Sequence, residues 1–179
     1  GSSTIRGLAY STSNKLLYVG TTSSKLGHYN SSNGSLSSLT ATDVGNWLGN
    51  SANNIEYMTY DHNNKLVFLV GMVGIFGFHN ISTLVTHNLT ATDTGNWIGL
   101  TDLENVVYTR YNKLTFKDYV YVSGWLGKFG RFNLSANVTD DLRGTDSGNW
   151  WGTTNIFGLA YDPNQEIVYV GGGAGKFGG

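Results

Sequence analysis

The sequence predicts an all-β fold built from repeated four-stranded units, and three observations support this prediction. A ten-residue pattern that contains Asp-x-Gly-Asn-Trp occurs three times in the 179 residues, at 40–49, 90–99 and 143–152. Short apolar runs rich in β-branched and aromatic residues recur between turn residues, as strands do. No segment has apolar residues at the helical period. The chain is therefore expected to fold as a series of antiparallel sheets.

The repeat length indicates the kind of unit. When the first strands are aligned on a closing tyrosine, Tyr10, Tyr60, Tyr111 and Tyr161 lie 50, 51 and 50 residues apart. A period of about 40–50 residues with four strands is typical of β-propeller blades. We therefore assign residues 1–179 to a partial β-propeller. Its repeats are predicted at about 4–49, 54–99, 105–152 and 155–179, and the last of them is incomplete.

Each unit is predicted to contain four strands, named A to D in chain order. Strand B is apolar on both faces, so both faces need cover, which neighbouring blades supply. Strand C has a central glycine, which we expect to allow a close backbone approach or a bulge. The predicted strands are 5–10, 55–60, 106–111 and 156–161 for A; 16–20, 66–71, 119–124 and 167–171 for B; 25–30, 75–80, 128–133 and 176–178 for C; and 36–40, 85–90 and 138–142 for D.

Three complete blades and a partial fourth are not expected to close a ring alone. Propellers close with about four to eight blades, and an open stack exposes an apolar face and strand edges. Closure by the rest of a longer chain is favoured here. Closure by other copies of the chain is the alternative.

Composition and charge exclude several functional classes. Charged residues make up 13% of the chain, which is about half the usual quarter, and the formal net charge is -1. No broad field therefore directs the chain towards nucleic acid. The chain has no Cys for disulfide or thiol chemistry, and no apolar run reaches the roughly 20 residues that span a bilayer. Abundant Ser, Thr, Asn and Tyr favour an extracellular or cell-surface location, with a polar cytosolic β-protein as the alternative.

The blades resemble those of secreted prokaryotic β-propellers, particularly archaeal ones. The resemblance lies in Leu159–Asp162, Leu66–Gly71 and Gly127–Asn133, and it extends over nearly the whole chain. It implies the propeller fold. Proteins of this broad group serve as scaffolds, adhesins, lectins and occasionally enzymes, so the resemblance does not select one function.

The repeated Asp-x-Gly-Asn-Trp pattern also resembles an Asp-box, with two departures. Trp47 follows Gly45 after one residue, and the pattern lies between blades and not in a C–D hairpin. The arginine cluster of a sialidase has no counterpart in this chain, so that chemistry is not carried over.

The pattern is interpreted first as a structural turn between blades. An Asp carboxylate can accept hydrogen bonds from N–H groups two residues on, and glycine supplies a positive φ. The Trp ring can insert between blades with its N–H directed to a carbonyl. The alternatives are a ring of exposed Trp and Asn that binds sugars, and a calcium site. The predicted turn residues are Asp43, Gly45, Asp93, Gly95, Asp146 and Gly148.

Candidate ligand-binding residues are expected on the face that carries these turns. In a four-stranded meander the D–A and B–C connections share one face, and the B–C loops differ between units, as specificity loops do. Trp125 and Trp151 break the repeat and are therefore the better candidates, although an interface or core role fits them equally well. The full set of candidates is Trp125, Trp151, Trp47, Trp97, Trp150, Asn46, Asn96 and Asn149.

Six Asn-x-Ser/Thr sequons cluster around the C–D region, which predicts glycans on the opposite face and the outer edge. The alternative is that these asparagines form Asx-turns at the end of strand C. The sequon residues are Asn30, Asn33, Asn80, Asn88, Asn133 and Asn137.

No catalytic, metal or cofactor site is predicted. The four His residues lack metal-ligand spacing, and Gly173-x-Gly175-x-x-Gly178 is not followed by the helix that a dinucleotide site needs. Asp140 and Asp141 are neighbours on a strand and point to opposite faces. The expected function is a non-catalytic structural or adhesion module with protein or glycan partners. A lectin, and the propeller part of a polysaccharide-active hydrolase or lyase, are the alternatives.

Overall fold

The computed structural model describes residues 3–39, 48, 54–93, 97–99, 101–112, 117–143 and 152–179. Over these residues the chain forms fifteen strands and a few single turns of 3-10 helix. Within the same ranges, no helix is long and apolar enough to cross a membrane.

The strands form four antiparallel sheets in which strand order follows chain order. The first sheet contains β1 (Ile5–Ser11), β2 (Leu16–Thr21), β3 (Leu26–Asn30) and β4 (Ser35–Ser38). The second contains β5 (Ile55–Asp61), β6 (Leu66–Gly71), β7 (Phe76–Asn80) and β8 (Val85–Asn88). The third contains β9 (Leu103–Asn112), β10 (Lys117–Gly124), β11 (Phe129–Asn133) and β12 (Val138–Asp141). The fourth contains β13 (Ile156–Asp162), β14 (Ile167–Gly172) and β15 (Phe177–Gly178). The predicted all-β fold of four-stranded units is confirmed.

The third sheet corrects the alignment from which the repeat spacing was predicted. Tyr108 of β9 lies opposite Val120, as Tyr60 lies opposite Val67 in the second sheet. Tyr108, and not Tyr111, is therefore the counterpart of Tyr60, and the equivalent tyrosines are 50, 48 and 53 residues apart. The prediction was wrong because both tyrosines lie within one long strand, and the sequence alone does not show which of them pairs with strand B as Tyr60 does. The additional residues of this unit lie between Tyr108 and strand B.

The sheets pack face to face, which gives the B strands the cover that they need on both faces. Buried side chains between the first and second sheets are Ala9, Tyr18, Leu26, Leu39, Leu48, Ile55, Met58, Tyr60, Val67, Leu69 and Ile75. Those between the second and third sheets are Phe68, Val70, Phe76, Leu89, Trp97, Ile98, Leu103, Val106, Tyr108, Val120, Val122 and Phe132. A smaller cluster around Ile156 and Val170 joins the third and fourth sheets. Burial of these apolar surfaces stabilises the stack of sheets.

The A strands form the inner wall of the arrangement. β1 contacts β5, β5 contacts β9, and β9 contacts β13, so the four strands follow one another around a central axis. Arg6 of β1 and Glu56 of β5 form an ion pair of 3.0 Å along this wall. Each sheet is therefore a blade that extends outwards from the axis.

The connections divide between the two ends of the axis. Gly74 in a B–C loop lies against the carbonyl oxygen of Gly99, and Gly127 lies against that of Gly152, in the connections to the next blades. B–C loops and D–A connections therefore share one end, here called the BC face. A–B and C–D turns form the opposite end, the AB face. The predicted distribution of loops is confirmed for these blades.

A repeated Asn or Asp directly before strand A joins consecutive blades. Its side-chain oxygen accepts a hydrogen bond from a backbone N–H in the B–C loop of the preceding blade. These bonds run from Ser23 to Asn54 (3.4 Å), from Val73 to Asp102 (2.9 Å) and from Leu126 to Asn155 (3.0 Å). The three donor residues have positive φ values of 74°, 56° and 55°, which are uncommon outside glycine. Each bond therefore holds a strained loop against the next blade.

Candidate functional site

In the second copy of the repeated pattern, the described residues 90–93 and 97–99 make structural contacts. Trp97 is buried between the second and third blades, where the absence of a side chain at Gly130 makes room for its ring. The predicted insertion of this Trp between blades is confirmed. Its burial also removes Trp97 from the exposed ligand-binding candidates. The indole N–H has no hydrogen-bond partner among the described residues, so the predicted bond to a carbonyl is not found there.

Asp93 organises the backbone of the same turn. Its carboxylate accepts hydrogen bonds from the backbone N–H groups of Trp97 at 3.1 Å and of Ile98 at 2.7 Å. The sequence predicted a partner two residues on, whereas these partners are four and five residues on. The hydroxyl oxygens of Thr92 and Thr139 lie 2.8 Å apart and join the turn to β12 of the next blade. These contacts support the structural role predicted for Asp93.

All other residues predicted from the repeated pattern lie outside the described residues. They are the ligand-binding candidates Trp47, Trp150, Trp151, Asn46, Asn96 and Asn149, and the turn residues Asp43, Gly45, Gly95, Asp146 and Gly148. Within the described ranges, no group of three His, Cys, Asp or Glu residues is placed to hold a metal ion.

Trp125 is exposed on the BC face beside the inner wall. Its indole N–H donates a hydrogen bond of 2.6 Å to Glu104 Oε1. Burial raises the pKa of the Glu104 carboxyl, while the hydrogen bond from Trp125 lowers it, and the charges of Glu56 and Asp102 raise it. The bond orients the Trp125 ring at this end of the axis, where its exposed surface is available for contact.

The asparagines that end strand C form Asx-turns. Asn30, Asn80 and Asn133 each accept a hydrogen bond from the backbone N–H two residues on, at 2.9, 2.9 and 3.1 Å. The predicted Asx-turns are therefore present at these three positions, and glycosylation there stays a prediction. Asn133 is buried, and its side chain therefore has little room for a glycan. The exposed sequon residues are Asn33, Asn88 and Asn137.

A cavity of about 740 Å³ opens on the AB face, at the end of the axis opposite the predicted ligand-binding face. Its volume lies within the range of roughly 300–1,000 Å³ that is usual for small-molecule sites. Residues from all four blades line it: Thr12, Ser13, Tyr60, His62, Val107, Tyr108, Tyr161 and Pro163.

Equivalent tyrosines at the ends of the A strands give this cavity its aromatic lining. The Tyr60 hydroxyl lies 2.9 Å from Ser13 Oγ, and the Tyr108 hydroxyl accepts a hydrogen bond of 3.0 Å from Asn63 Nδ2. In both pairs the partner belongs to the A–B turn of the preceding blade. The His62 ring meets the Tyr60 ring edge to face, with 4.5 Å between centroids. These contacts fix the orientation of the rings around the cavity.

The cavity is uncharged over its described lining, which contains no Lys, Arg, Asp or Glu. Burial raises the pKa of Tyr108, and the carboxylates of Asp61 and Asp118 raise it further. Burial also raises the pKa of Tyr161. Both phenols therefore stay protonated at neutral pH. Ring surfaces and neutral hydroxyls suit a ligand that is polar, uncharged and partly apolar.

Comparison with known proteins identifies the fold of the chain, but it does not identify a family. No protein-family model and no curated protein matches the chain. Among solved structures, the computationally designed Ika4 protein is similar over 99% of this chain and 91% of its own, with a TM-score of 0.67 and 15% identity. A chain of the mitotic checkpoint complex is similar over 93% of this chain and 44% of its own, with a TM-score of 0.66 and 14% identity.

A chain of the nidogen/laminin complex is also similar, over 93% of this chain and 56% of its own, with a TM-score of 0.63 and 18% identity. This chain therefore spans about half the length of the two natural proteins. At these identities the likeness concerns the fold alone. Together with the four antiparallel sheets around an axis, it shows that the chain is an all-β protein of the β-propeller class.

Proposed function

We propose that this propeller is a non-catalytic binding module that acts outside the cell or at its surface, with a neutral glycan or a protein segment as partner. The observation that supports it most is the tyrosine-lined cavity on the AB face. Its lining offers hydrogen-bonding hydroxyls and aromatic surfaces without fixed charge. Sugars combine hydroxyl groups with apolar C–H faces, so they match both features of such a lining.

The BC face supports a second contact surface in the same module. Trp125 is exposed there, and the adjacent loop residues Val73 and Leu126 are exposed as well. An apolar surface of this kind suits a protein partner better than a sugar, because it offers few hydrogen-bonding groups.

A hydrolase or lyase part is the alternative, and it needs carboxylates and arginines that converge on one site. The three ion pairs among the described residues are instead separate. Arg6 pairs with Glu56 on the inner wall, and the other two are Arg131–Asp140 and Arg143–Asp141 on the outer strands. This separation favours the non-catalytic proposal.

A glycan array with wild-type protein and two variants tests the proposal. Tyr161→Ala removes a ring from the cavity, whereas Trp125→Ala removes a ring from the opposite face and serves as the control. Since an aromatic contact contributes about 1 kcal/mol, Tyr161→Ala is expected to weaken sugar binding by about fivefold. Absence of binding to any sugar at millimolar concentration would reject the glycan proposal. A loss caused by Trp125→Ala alone would move the site to the BC face.

A further inference from the structure

The first blade has an apolar face that the described chain leaves uncovered. Ile5 and Leu8 on β1 are 58% and 53% exposed. Their counterparts in the second blade, Ile55 and Met58, are 0% and 2% exposed because they pack against the first blade. The exposed face, here called the β1 face, therefore has the character of an interior surface. A shallow cavity beside it includes Ile5 and Leu36 in its lining.

The interface between the first two blades shows which kind of surface packs against a face like the β1 face. Ile55 and Met58 occupy space that two glycines leave free. A Cβ atom at Gly7 would lie 2.7 Å from Met58 Cγ, and a Cβ atom at Gly20 would overlap Ile55 Cγ2. The glycines pair with each other across β1 and β2. Paired glycines on adjacent strands thus leave a recess, and this recess accepts an Ile and a long apolar side chain from the next blade.

The fourth blade repeats this recess and leaves it empty. Gly158 and Gly171 pair across β13 and β14, as Gly7 and Gly20 do across β1 and β2. A Cβ atom at Gly171 would meet no atom within 4 Å. Beside it, Phe177 is 66% exposed.

The surroundings of the two recesses also correspond. Phe177 is paired with Gly171, as Leu26 is paired with Gly20, but Leu26 is only 1% exposed. The sequence around the recess is nearly the same in both blades, since β1 reads IRGLAYS and β13 reads IFGLAYD. The first three strands of the fourth blade therefore present the part of the surface that β1, β2 and β3 present to β5 inside this chain.

We propose that the fourth blade of one copy receives the β1 face of a second copy, with Ile5 placed against Gly171 and Leu8 against Gly158. A second copy fits because the β1 face and the glycine recess correspond to the two sides of the interface between the first two blades. Two such contacts, related by a twofold axis, close a dimer. Each copy of these 179 residues contributes three four-stranded sheets and the three-stranded fourth. The pair therefore forms a ring of eight sheets, which is within the usual range of about four to eight blades.

The first test is the mass of the wild-type protein by light scattering over a wide concentration range. A mass of twice the 19.4 kDa of one chain is expected. A mass of 19.4 kDa at every concentration would overturn the proposal. A series of larger species would also overturn it, since head-to-tail contacts that do not close build open assemblies.

Two variants locate the contact, and a third is the matched control. Leu8→Arg places a charge on the β1 face, and Gly171→Val fills the recess of the fourth blade. Leu84→Arg changes a leucine of similar exposure in a C–D turn. The first two variants should have the mass of one chain and Leu84→Arg that of two, with circular dichroism of wild-type form in each.

Mixing the two disrupted variants gives an independent check. The recess of Leu8→Arg and the β1 face of Gly171→Val are both intact, so the mixture can form one native contact. We expect a species of two chains in the mixture at high concentration and in neither variant alone. Two-chain species in both separate variants would overturn the proposed contact.

Discussion

His79 shows how one residue position takes on different physical roles in successive blades. It is fully buried on β7, and its Nδ1 lies 3.0 Å from the Thr86 hydroxyl oxygen. The equivalent positions are occupied by Tyr29 in the first blade and Phe132 in the third. The pKa of His79 is lowered from 6.5 to about 4, mainly by burial and in smaller part by the nearby His28 and His87. The folded protein therefore holds this imidazole in its neutral form.

This burial predicts that His79 contributes to acid sensitivity. The unfolded chain binds a proton at His79 near pH 6.5, whereas the folded chain does so near 4. Stability is therefore fully present above 6.5 and is lost as the pH falls towards 4. The loss from this residue is about 3 kcal/mol over that interval.

The variant His79→Phe, which copies the third blade, should remove this part of the pH dependence. Urea unfolding at a series of pH values measures it. His62→Gln, in an exposed turn, retains His79 and is the control. Profiles of equal slope for His79→Phe and wild type would show that His79 is not the source.

A substitution at Gly130 should also change the stability of the protein. A Cβ atom there would overlap Cζ2 and Cη2 of the buried Trp97 and would lie 2.5 Å from the Asp140 carbonyl oxygen. Overpacking of this kind costs about 1–3 kcal/mol, so Gly130→Ala should lower the free energy of unfolding by that amount. Gly173→Ala is the control, since its Cβ would find its nearest neighbour at 3.5 Å. Equal stability of the two variants would argue against the position of the Trp97 ring.

At the scale of elements, the blades are joined by contacts that repeat as regularly as the strands. Asn54, Asp102 and Asn155 each precede an A strand and accept a hydrogen bond from the loop of the preceding blade. Two of the three are Asn and one is Asp, so the position needs an oxygen acceptor and not a charge.

This equivalence predicts the outcome of substitutions at Asp102. Asp102→Ala leaves the Val73 N–H without its acceptor and should cost about 1–2 kcal/mol in the free energy of unfolding. Asp102→Asn keeps the oxygen and should recover most of that loss, as in the neighbouring blades. Chemical denaturation of both variants measures the difference. Equal losses would mean that the carboxylate charge, and not the acceptor, holds the loop.

The strands could be predicted from the sequence because their signals are local. Leu66–Gly71 is an uninterrupted apolar run between turn residues, and its predicted bounds agree with β6. The register of the third blade depends on pairing between strands, and Tyr108 and Tyr111 look alike without it. The hydrogen bond between Val73 and Asp102 likewise joins two blades, so the spacing of residues within one strand does not reveal it. The Asn or Asp that directly precedes three of the A strands is the one sign of it in the sequence.

The candidate site was predicted less well than the strands, because it too depends on how the blades pack together. The repeated Trp draws attention in the sequence, yet Trp97 is buried by the next blade, and that burial is a tertiary effect. A tyrosine repeated at the ends of the inner strands was the better indication, because residues at equivalent positions there meet around the axis. Two of the cavity tyrosines, Tyr60 and Tyr161, belong to the repeat alignment, whereas Tyr111 stood there in place of Tyr108, and the cavity itself follows from the packing of four blades.

At the scale of the whole molecule, the blades produce an axis with two different ends. The AB face presents neutral hydroxyls and rings from four blades, and the BC face presents Trp125 beside Glu104 and the exposed B–C loops. We expect the partner to bind at the AB face. Because different residues lie at the two ends, the N–H signals of individual residues show at which end a ligand binds.

Chemical-shift mapping tests this expectation. The protein is titrated with a neutral oligosaccharide selected on the array, and the backbone and indole N–H signals are followed. Binding at the AB face should shift the signals of the A–B turns, at Ser13 and His62 among others, and leave the Trp125 indole signal unchanged. Shifts confined to Trp125 and the B–C loops would contradict it.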